Sequence, residues 1–199
     1  SRTSKPARAI AIGASTGGIH SMNQMLTDLP KYIDQPIFIS QHLPSSFIPV
    51  FARQIEIASS RAARIAKDGM PVIPGEVLIA PGDGHLTVEL KDGQPVVRIA
   101  RYQVPNGCCP SVDPMLESLA KCFDGAVLGI ILSGMGRDGV LGARCVVDAG
   151  GTILVQNRET SSVWGMPRAV AEAGLASAIL PPEELAIRIL SSRVATKWA

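Results

Sequence analysis

Aromatic side chains make up only 4% of the sequence, and its basic residues are scattered instead of forming a tract. Surfaces that bind nucleic acids are usually basic and carry interleaved aromatic side chains, so the sequence disfavours nucleic acid as a partner. Because aromatic residues are scarce, the core must be built from Ile, Val, Leu and Ala. A core of this kind is typical of a buried parallel sheet covered by helices.

Long hydrophobic runs are missing as well. The apolar run Ala126–Leu132 has the length of a strand, well below the roughly 20 residues that span a bilayer. The basic segment Ser1–Arg8 is not followed by the apolar stretch of a signal peptide. We therefore expect no membrane insertion and a cytoplasmic location. Ser1–Ala7 is predicted to be a linker or a cloning remnant, which leaves residues 8–199 as one domain.

Cysteines are few, and their spacing matches neither a zinc site nor a usual disulfide framework. We expect reduced thiols, with a redox role for the adjacent pair Cys108 and Cys109 as a less favoured alternative. The cysteines are Cys108, Cys109, Cys122 and Cys145.

Short apolar runs alternate with helix-like segments over most of the chain. This alternation predicts a doubly wound α/β fold, with a mostly parallel sheet and helices on both faces. The middle of the chain differs, because its short runs are punctuated by Gly and Pro and include the turn signal Lys91–Gly93. We expect Val77–Ala80, Leu86–Leu90 and Val96–Ala100 to form a small antiparallel excursion. The other predicted strands are Ala9–Ile12, Pro36–Ser40, Ala126–Leu132, Thr152–Gln156 and Ala178–Leu180, and the predicted helices are Ile19–Leu29, Phe47–Ser59, Val112–Phe123, Gly139–Ala149, Pro167–Ala173 and Pro182–Arg193.

The glycine-rich segment Gly13–Gly18 lies between a predicted strand and a predicted helix, and its sequence GASTGG matches G-x-S-x-G. This pattern is typical of a turn that exposes a nucleophilic serine, here Ser15, beside the N–H groups of a helix N-terminus. A phosphate-binding loop is the alternative. Neither Walker spacing nor a G-x-G-x-x-G match is present, so the pattern moderately favours the nucleophile.

A serine nucleophile needs a base, and the chain has three histidines, His20, His42 and His85. His42 directly follows the second predicted strand, as Ser15 follows the first. Loops after neighbouring parallel strands converge on one crevice, so His42 is the histidine placed to reach Ser15. His20 lies inside the first helix, and His85 lies in a loop before an excursion strand, where it could be a surface turn residue or contribute to the crevice.

Asp138 ends the glycine-rich turn that follows the apolar strand Ala126–Leu132, again at a strand's carboxyl end. It is the candidate carboxylate that would orient the imidazole, and backbone N–H groups of the same turn could stabilise an oxyanion. The alternative role is an N-cap of the helix Gly139–Ala149. The order Ser, His, Asp differs from that of the α/β-hydrolases, so the motif does not indicate that family.

Several motifs together resemble the catalytic domain of bacterial chemotaxis protein-glutamate methylesterases. The resemblance covers Arg8 to about Leu190, and its motifs are AIGASTGG, QHLP, IAPGDGH, PSVD, SGMGRDG, QN and GMPR. It implies a doubly wound α/β domain with Ser15 as nucleophile, His42 as base and Asp138 as the orienting carboxylate. It also implies an oxyanion donor at Met135, with Thr16 beside the nucleophile, and neither metal nor cofactor.

The implied reaction is hydrolysis of glutamate γ-methyl esters on the cytoplasmic domains of chemoreceptors, with deamidation of receptor glutamines at the same site. The implied partners are these receptors and either an N-terminal receiver domain or a separate regulator. The segment Asn106–Cys109 departs from the family, because it lacks the basic and histidine residues expected there. A non-catalytic receptor-binding module of the same fold remains an alternative, and a nucleotide-binding domain is a second one.

Overall fold

The computed structural model describes residues 4–192, and within them a parallel sheet of seven strands forms the centre of the fold. The strands are β1 (Ala9–Ala14), β2 (Ile37–Gln41), β3 (Ala63–Ile65), β4 (Val77–Ile79), β5 (His85–Lys91), β6 (Gln94–Ala100), β7 (Val127–Ile131), β8 (Thr152–Gln156) and β9 (Ala178–Leu180). The parallel sheet has the order β3-β4-β2-β1-β7-β8-β9, and β5 and β6 form a separate antiparallel hairpin.

Helices follow most strands of the main sheet and return the chain to its starting edge, as parallel pairing requires. A short 3₁₀ turn, Ser45–Phe47, leads into the second helix. The helices are α1 (Gly18–Thr27), α2 (Ile48–Ser59), α3 (Val112–Cys122), α4 (Val140–Asp148), α5 (Met166–Glu172) and α6 (Pro182–Ser191). No helix among residues 4–192 combines the length and the apolar character needed to cross a membrane.

Alternate residues of the central strand β1 pack into two separate cores, one on each face of the sheet. Ala9 and Ala11 belong to the core under α3, α4 and α5, whereas Ile10 and Ile12 belong to the core under α1, α2 and α6. Every residue of β1 is buried. A strand that is buried on both faces has a continuous apolar sequence, and such a run is what predicted β1. The predicted doubly wound fold is confirmed.

The order of the strands creates a crevice beside β1. The chain builds outward from β1 through β2 toward the edge strand β3, and later restarts on the opposite side of β1 with β7. The loops that follow β1 and β7 therefore leave the sheet in different directions. In open α/β sheets, ligands bind at such a switch point, outside the carboxyl ends of the strands.

The middle of the chain differs from the prediction at two strands. Val77–Ile79 is not part of the antiparallel excursion: it pairs in parallel with β2 and with Ala63–Ile65 in the main sheet. Ala63–Ile65 itself was not predicted, because it has three partly exposed residues and no apolar run. The hairpin of β5 and β6 is confirmed, with a turn at Asp92 and Gly93, both at positive φ. The predicted end of the last helix, Arg193, lies outside the described residues.

Candidate functional site

Ser15 and His42 are brought together by the pairing of β1 with β2. Ala14 is in register with Gln41, and the N–H of His42 donates to the carbonyl of Ala14 at 3.0 Å. The residues that follow, Ser15 and His42, are therefore neighbours across two strands that lie about 4.8 Å apart. The Ser15 hydroxyl forms no hydrogen bond with any described residue, which leaves it free to approach the imidazole.

The backbone around Ser15 is fixed by close packing. The backbone N–H of Ser15 donates to the carbonyl of Ser133 at 3.0 Å, and the side-chain amide of Gln41 donates to the carbonyl of Ser15 at 2.9 Å. A Cβ at Gly134 would lie 2.7 Å from the Cβ of Ser15, and one at Gly18 would lie 2.4 Å from that of Ala14. Only glycine allows such approaches, so these contacts explain the small residues of both motifs.

His42 and Asp138 form a short hydrogen bond, with Nε2 of the imidazole 2.6 Å from Oδ2 of the carboxylate. Asp138 is 1% exposed, whereas the imidazole is partly accessible. An ionised carboxylate only accepts hydrogen bonds, so Nε2 carries the proton. The Nδ1 atom is then the imidazole nitrogen with a free lone pair, and it can take a proton from a nearby hydroxyl.

The carboxylate of Asp138 is held by several further donors. Oδ2 also accepts the N–H of Val112 at 2.8 Å, while Oδ1 accepts the Ser111 hydroxyl at 2.7 Å and the Asn106 amide at 2.9 Å. Burial by itself raises the pKa of Asp138, but the hydrogen bonds from His42, Val112 and Ser111 outweigh burial and hold the pKa below its ordinary value. Asp138 is thus a buried, ionised acceptor.

The helix-capping roles near the site are exchanged between two elements. Asp138 precedes α4, yet its carboxylate accepts the N–H of Val112 at the start of α3. Asp113, in the first turn of α3, accepts instead the N–H groups of Gly139 and Gly142 at the start of α4, at 3.1 and 2.8 Å. The alternative in which Asp138 caps α4 is therefore wrong. Its carboxylate accepts from the start of α3 instead, because α3 packs directly against the turn before α4.

Asp113 is the second buried carboxylate of the site. Burial is the largest influence on its pKa and raises it, the N–H of Gly142 lowers it, and the charges of Asp138 and Glu117 raise it again, to about 6. The amide of Asn106 bridges the two carboxylates, donating to Asp113 at 3.1 Å as well as to Asp138. When the pair binds one proton, Asp113 takes it, because its pKa is the higher of the two.

The N–H of Met135 is the candidate oxyanion donor that the structure positions most clearly. The carbonyl of Gly134, in the same peptide unit, accepts the N–H groups of Gly165 and Met166 at 3.1 and 2.8 Å. Because the peptide is trans, the N–H of Met135 points away from those two residues. It has no acceptor within residues 4–192, and the adjoining Gly134 lies against Ser15. The Met135 side chain is 68% exposed.

Thr16 contributes its backbone to the same end of the crevice. Its side chain is exposed, and its carbonyl accepts the Ser133 hydroxyl at 2.7 Å. The N–H groups of Thr16 and Gly17 have no acceptor in the described part of the chain. They precede α1, whose N-terminus favours negative charge.

The other two histidines do not reach Ser15. His20 is exposed on α1, whereas His85 is 1% exposed and fully bonded. Its Nδ1 accepts the N–H of Ser111 at 2.9 Å, and its Nε2 donates to the carbonyl of Tyr102 at 2.8 Å. His85 therefore positions Ser111, which in turn donates to Asp138.

Asn106, Ser111 and Val112 were not predicted as parts of the site, whereas a place in the crevice was one of two alternatives for His85. The available signal was the motif Ser111–Asp113, which has the residue types of a helix N-cap, and the histidine that ends the IAPGDGH motif. Neither signal says which carboxylate the N-cap serine would meet, because that contact depends on tertiary packing.

Cys108 also lies at the site, which the sequence did not indicate. Its Sγ, a ring nitrogen of His42 and a carboxylate oxygen of Asp138 lie within 4.8 Å of one another. These residues could hold a metal ion.

A cavity of about 600 Å³ lies elsewhere, between the β5–β6 hairpin and α3, and neither Ser15 nor His42 lines it.

Comparisons with known proteins agree with this architecture. The CheB methylesterase family model matches residues 10–189. The protein-glutamate methylesterase/protein-glutamine glutaminase of Azospirillum brasilense is 46% identical over 189 residues, which are 94% of this chain and 48% of that protein. A second such protein, from Caulobacter vibrioides, is 42% identical over 94% of this chain and 54% of its own length.

The chain thus spans about half the length of these two relatives. Among solved structures, the CheB methylesterase catalytic domain of Thermotoga maritima matches with a TM-score of 0.90 and 34% identity, over 93% of this chain and 98% of that one. The family match covers nearly the whole described sheet and every residue of the crevice. The chain belongs to the CheB methylesterase family.

Proposed function

We propose that this chain is a serine hydrolase that demethylates glutamate γ-methyl esters of chemoreceptors and deamidates receptor glutamines. Ser15 is the nucleophile, His42 the general base, and Asp138 the residue that orients His42. Residues 8–199 constitute the catalytic domain. The proposal agrees with the names of the relatives, protein-glutamate methylesterase/protein-glutamine glutaminase.

The observation that carries this proposal is the 2.6 Å hydrogen bond between His42 and Asp138, at the end of the strand that pairs with the strand preceding Ser15. A buried ionised carboxylate is costly to desolvate, and several donors are needed to offset that cost. It is well suited to stabilise the positive charge that forms when His42 takes a proton. A phosphate-binding loop would not need this pair.

Acylation follows from the positions of these groups. Nδ1 of His42 takes the Ser15 proton as Oγ forms a bond to the ester carbonyl carbon, and the carbonyl oxygen becomes an oxyanion. The free N–H groups of Met135 and Thr16 are the donors for this oxyanion. Each such donor lowers the barrier to reaction by about 3 kcal/mol in comparable sites. His42 then protonates the methoxy oxygen, the C–O bond breaks, and methanol leaves.

Deacylation repeats these steps with water. His42 takes a proton from water, the new oxygen–carbon bond forms, and Ser15 leaves with the proton returned by His42, which releases glutamate. A glutamine side chain follows the same route with ammonia as the leaving group. Ammonia is expelled less readily than methanol, so we expect the amide to react more slowly than the ester.

The partners of the chain are part of the proposal. Chemoreceptors supply the esterified glutamates, and a receiver domain or a separate regulator controls access to the crevice. The second point is supported by the coverage of the relatives, about half of whose length lies outside the match. Because the ester groups of chemoreceptors lie on their cytoplasmic helices, we propose a cytoplasmic location.

The direct test is methanol release from a methyl-esterified receptor fragment. Ser15→Ala and His42→Ala should each lower the rate by at least about 10³-fold, whereas the exposed His20→Ala serves as the matched control and should retain the parent rate. Full activity of either site variant would refute the assigned roles.

Labelling with an activated phosphonate separates the enzyme from a non-catalytic receptor-binding module. The parent should be labelled at Ser15, and labelling should disappear in His42→Ala. A parent that binds the receptor fragment but is neither labelled nor able to release methanol would be a binding module. Tight nucleotide binding at Gly13–Gly18 would favour the phosphate-loop alternative instead.

A further inference from the structure

Cys108 lies beside the proposed triad because Asn106 holds its backbone there. The N–H of Cys108 donates to Oδ1 of Asn106 at 2.9 Å, while Nδ2 of the same amide donates to Oδ1 of Asp138 at 2.9 Å. The cysteine is a free thiol and is half-buried at the crevice. One side chain thus fixes the position of a thiol relative to a buried carboxylate.

The thiol, imidazole and carboxylate form a mixed set of ligands. Sγ of Cys108, a ring nitrogen of His42 and a carboxylate oxygen of Asp138 lie within 4.8 Å of one another. A tetrahedral zinc ion binds such atoms at about 2.0–2.3 Å, so on binding it would replace the hydrogen bond between His42 and Asp138 and draw in the thiol. Hard cations such as Mg²⁺ prefer sets of oxygen atoms and do not match this one.

The electrostatics of the crevice also favour a cation. The carboxyl groups of Asp138 and Asp113 both lie near the Cys108 thiol. The same two carboxylates attract a divalent ion, and a zinc ion deprotonates a thiol that coordinates it. His42 and Cys108 are both accessible enough for the ion to enter from the crevice.

We propose that Cys108, His42 and Asp138 form an inhibitory site for a thiophilic divalent cation such as Zn²⁺. On binding, the ion takes Nε2 of His42, whose single ring proton moves to Nδ1, and displaces the proton of the Cys108 thiol, which goes to solvent. With Nδ1 protonated and Nε2 bound to the ion, the imidazole cannot accept the proton of Ser15, so the hydrolase stops. The inhibitory consequence rests on the proposed function, whereas the binding site does not.

Cys109 provides the matched control, because it is the adjacent cysteine and is exposed. Zinc affinity is measured by competition with a chromophoric chelator for the parent, Cys108→Ser, Cys109→Ser and His42→Ala. We expect one tight ion for each parent chain and a Kd raised at least about tenfold in Cys108→Ser and in His42→Ala. Cys109→Ser should bind as the parent does. Equal weakening by both cysteine variants would place the ion on the vicinal pair and overturn the proposal.

Cobalt substitution and activity complete the test. Bound Co²⁺ should give thiolate-to-metal absorption in the parent but not in Cys108→Ser. For each active variant, the rate of methanol release with zinc is divided by its own rate without zinc, and this ratio should fall at least about tenfold only where Cys108 is present. Binding without inhibition would refute the inhibitory role. A parent that binds zinc but never releases methanol would refute the proposed function and leave the metal site standing.

Discussion

Replacing Asp138 by asparagine tests the central hydrogen-bond network, because every partner of this carboxylate is a donor. Oδ2 accepts from His42 and from the N–H of Val112, and Oδ1 accepts from Ser111, from Asn106 and, at 3.4 Å, from the N–H of Asp113. An asparagine has one oxygen and one NH₂ group. Whichever way the amide turns, its NH₂ group faces at least two groups that donate to the carboxylate of Asp138.

Both orientations have a cost that can be worked out. With NH₂ at the Oδ2 position, the buried N–H of Val112 loses its acceptor, and His42 must turn its Nε2 lone pair toward the amide. The proton then moves to Nδ1, and His42 can no longer accept the proton of Ser15. With NH₂ at the Oδ1 position, the amide of Asn106 loses a partner. One orphaned buried donor costs about 1–3 kcal/mol, so we expect a fall of roughly 2 kcal/mol in the free energy of unfolding.

The expected effect on catalysis is larger than the effect on folding. In the first orientation His42 has the wrong tautomer, and in both orientations it loses the negative charge that stabilises its protonated form. This substitution in a serine hydrolase lowers kcat by about 10⁴-fold, which corresponds to about 5 kcal/mol of barrier. Methanol release and urea unfolding are measured on Asp138→Asn and on the exposed control Asp28→Asn. If Asp138→Asn keeps its activity within about tenfold of the parent rate, His42 does not depend on this carboxylate, and the reasoning fails.

Three further changes test other parts of the structure. Gly134→Ala places a methyl group 2.7 Å from the Cβ of Ser15 and from Sδ of Met166, so methanol release should fall by about 10²-fold or more while circular dichroism stays that of the parent. The pKa of Asp113 is raised to about 6, so its neutral form stabilises the fold below pH 3.8, and this contribution is lost as pH rises through about 6. The parent's free energy of unfolding minus that of Asp113→Asn should therefore fall by up to about 3 kcal/mol over that window, and a difference independent of pH would contradict the assignment. Phe38→Ala empties a fully buried site and should lower the free energy of unfolding in urea by about 3–5 kcal/mol.

Much of the fold follows from local sequence, and the exceptions have physical reasons. The strand at Val127–Ile131 and the hairpin turn at Asp92 are visible because an apolar run and a turn signal act locally. The register that pairs Val77–Ile79 with the main sheet is not local, and Ala63–Ile65 gains its strand conformation from that pairing. A short edge strand with partly exposed side chains leaves no periodic pattern to detect.

The neighbourhood of Ser15 and His42 could likewise be predicted from topology, since each follows one of two adjacent parallel strands. The supporting contacts could not. Asn106 and Cys108 lie in an irregular loop, and nothing in that loop's sequence indicates that it reaches Asp138. The exchange of caps between α3 and α4 is a property of how the two helices pack, so the N-cap residue types alone assigned Asp138 to the wrong helix.

This exchange of caps also explains why two buried carboxylates can coexist in one site. Asp138 accepts hydrogen bonds from His42, Val112 and Ser111, which outweigh its burial and hold its pKa below the ordinary value. Asp113 has two backbone donors and the shared Asn106, and its pKa is raised to about 6. When one proton binds the pair, Asp113 takes it, and Asp138 stays ionised. This separation of the two pKa values keeps the carboxylate that orients His42 charged. Asp113 is the carboxyl group that a proton neutralises first, which avoids the burial of two negative charges side by side.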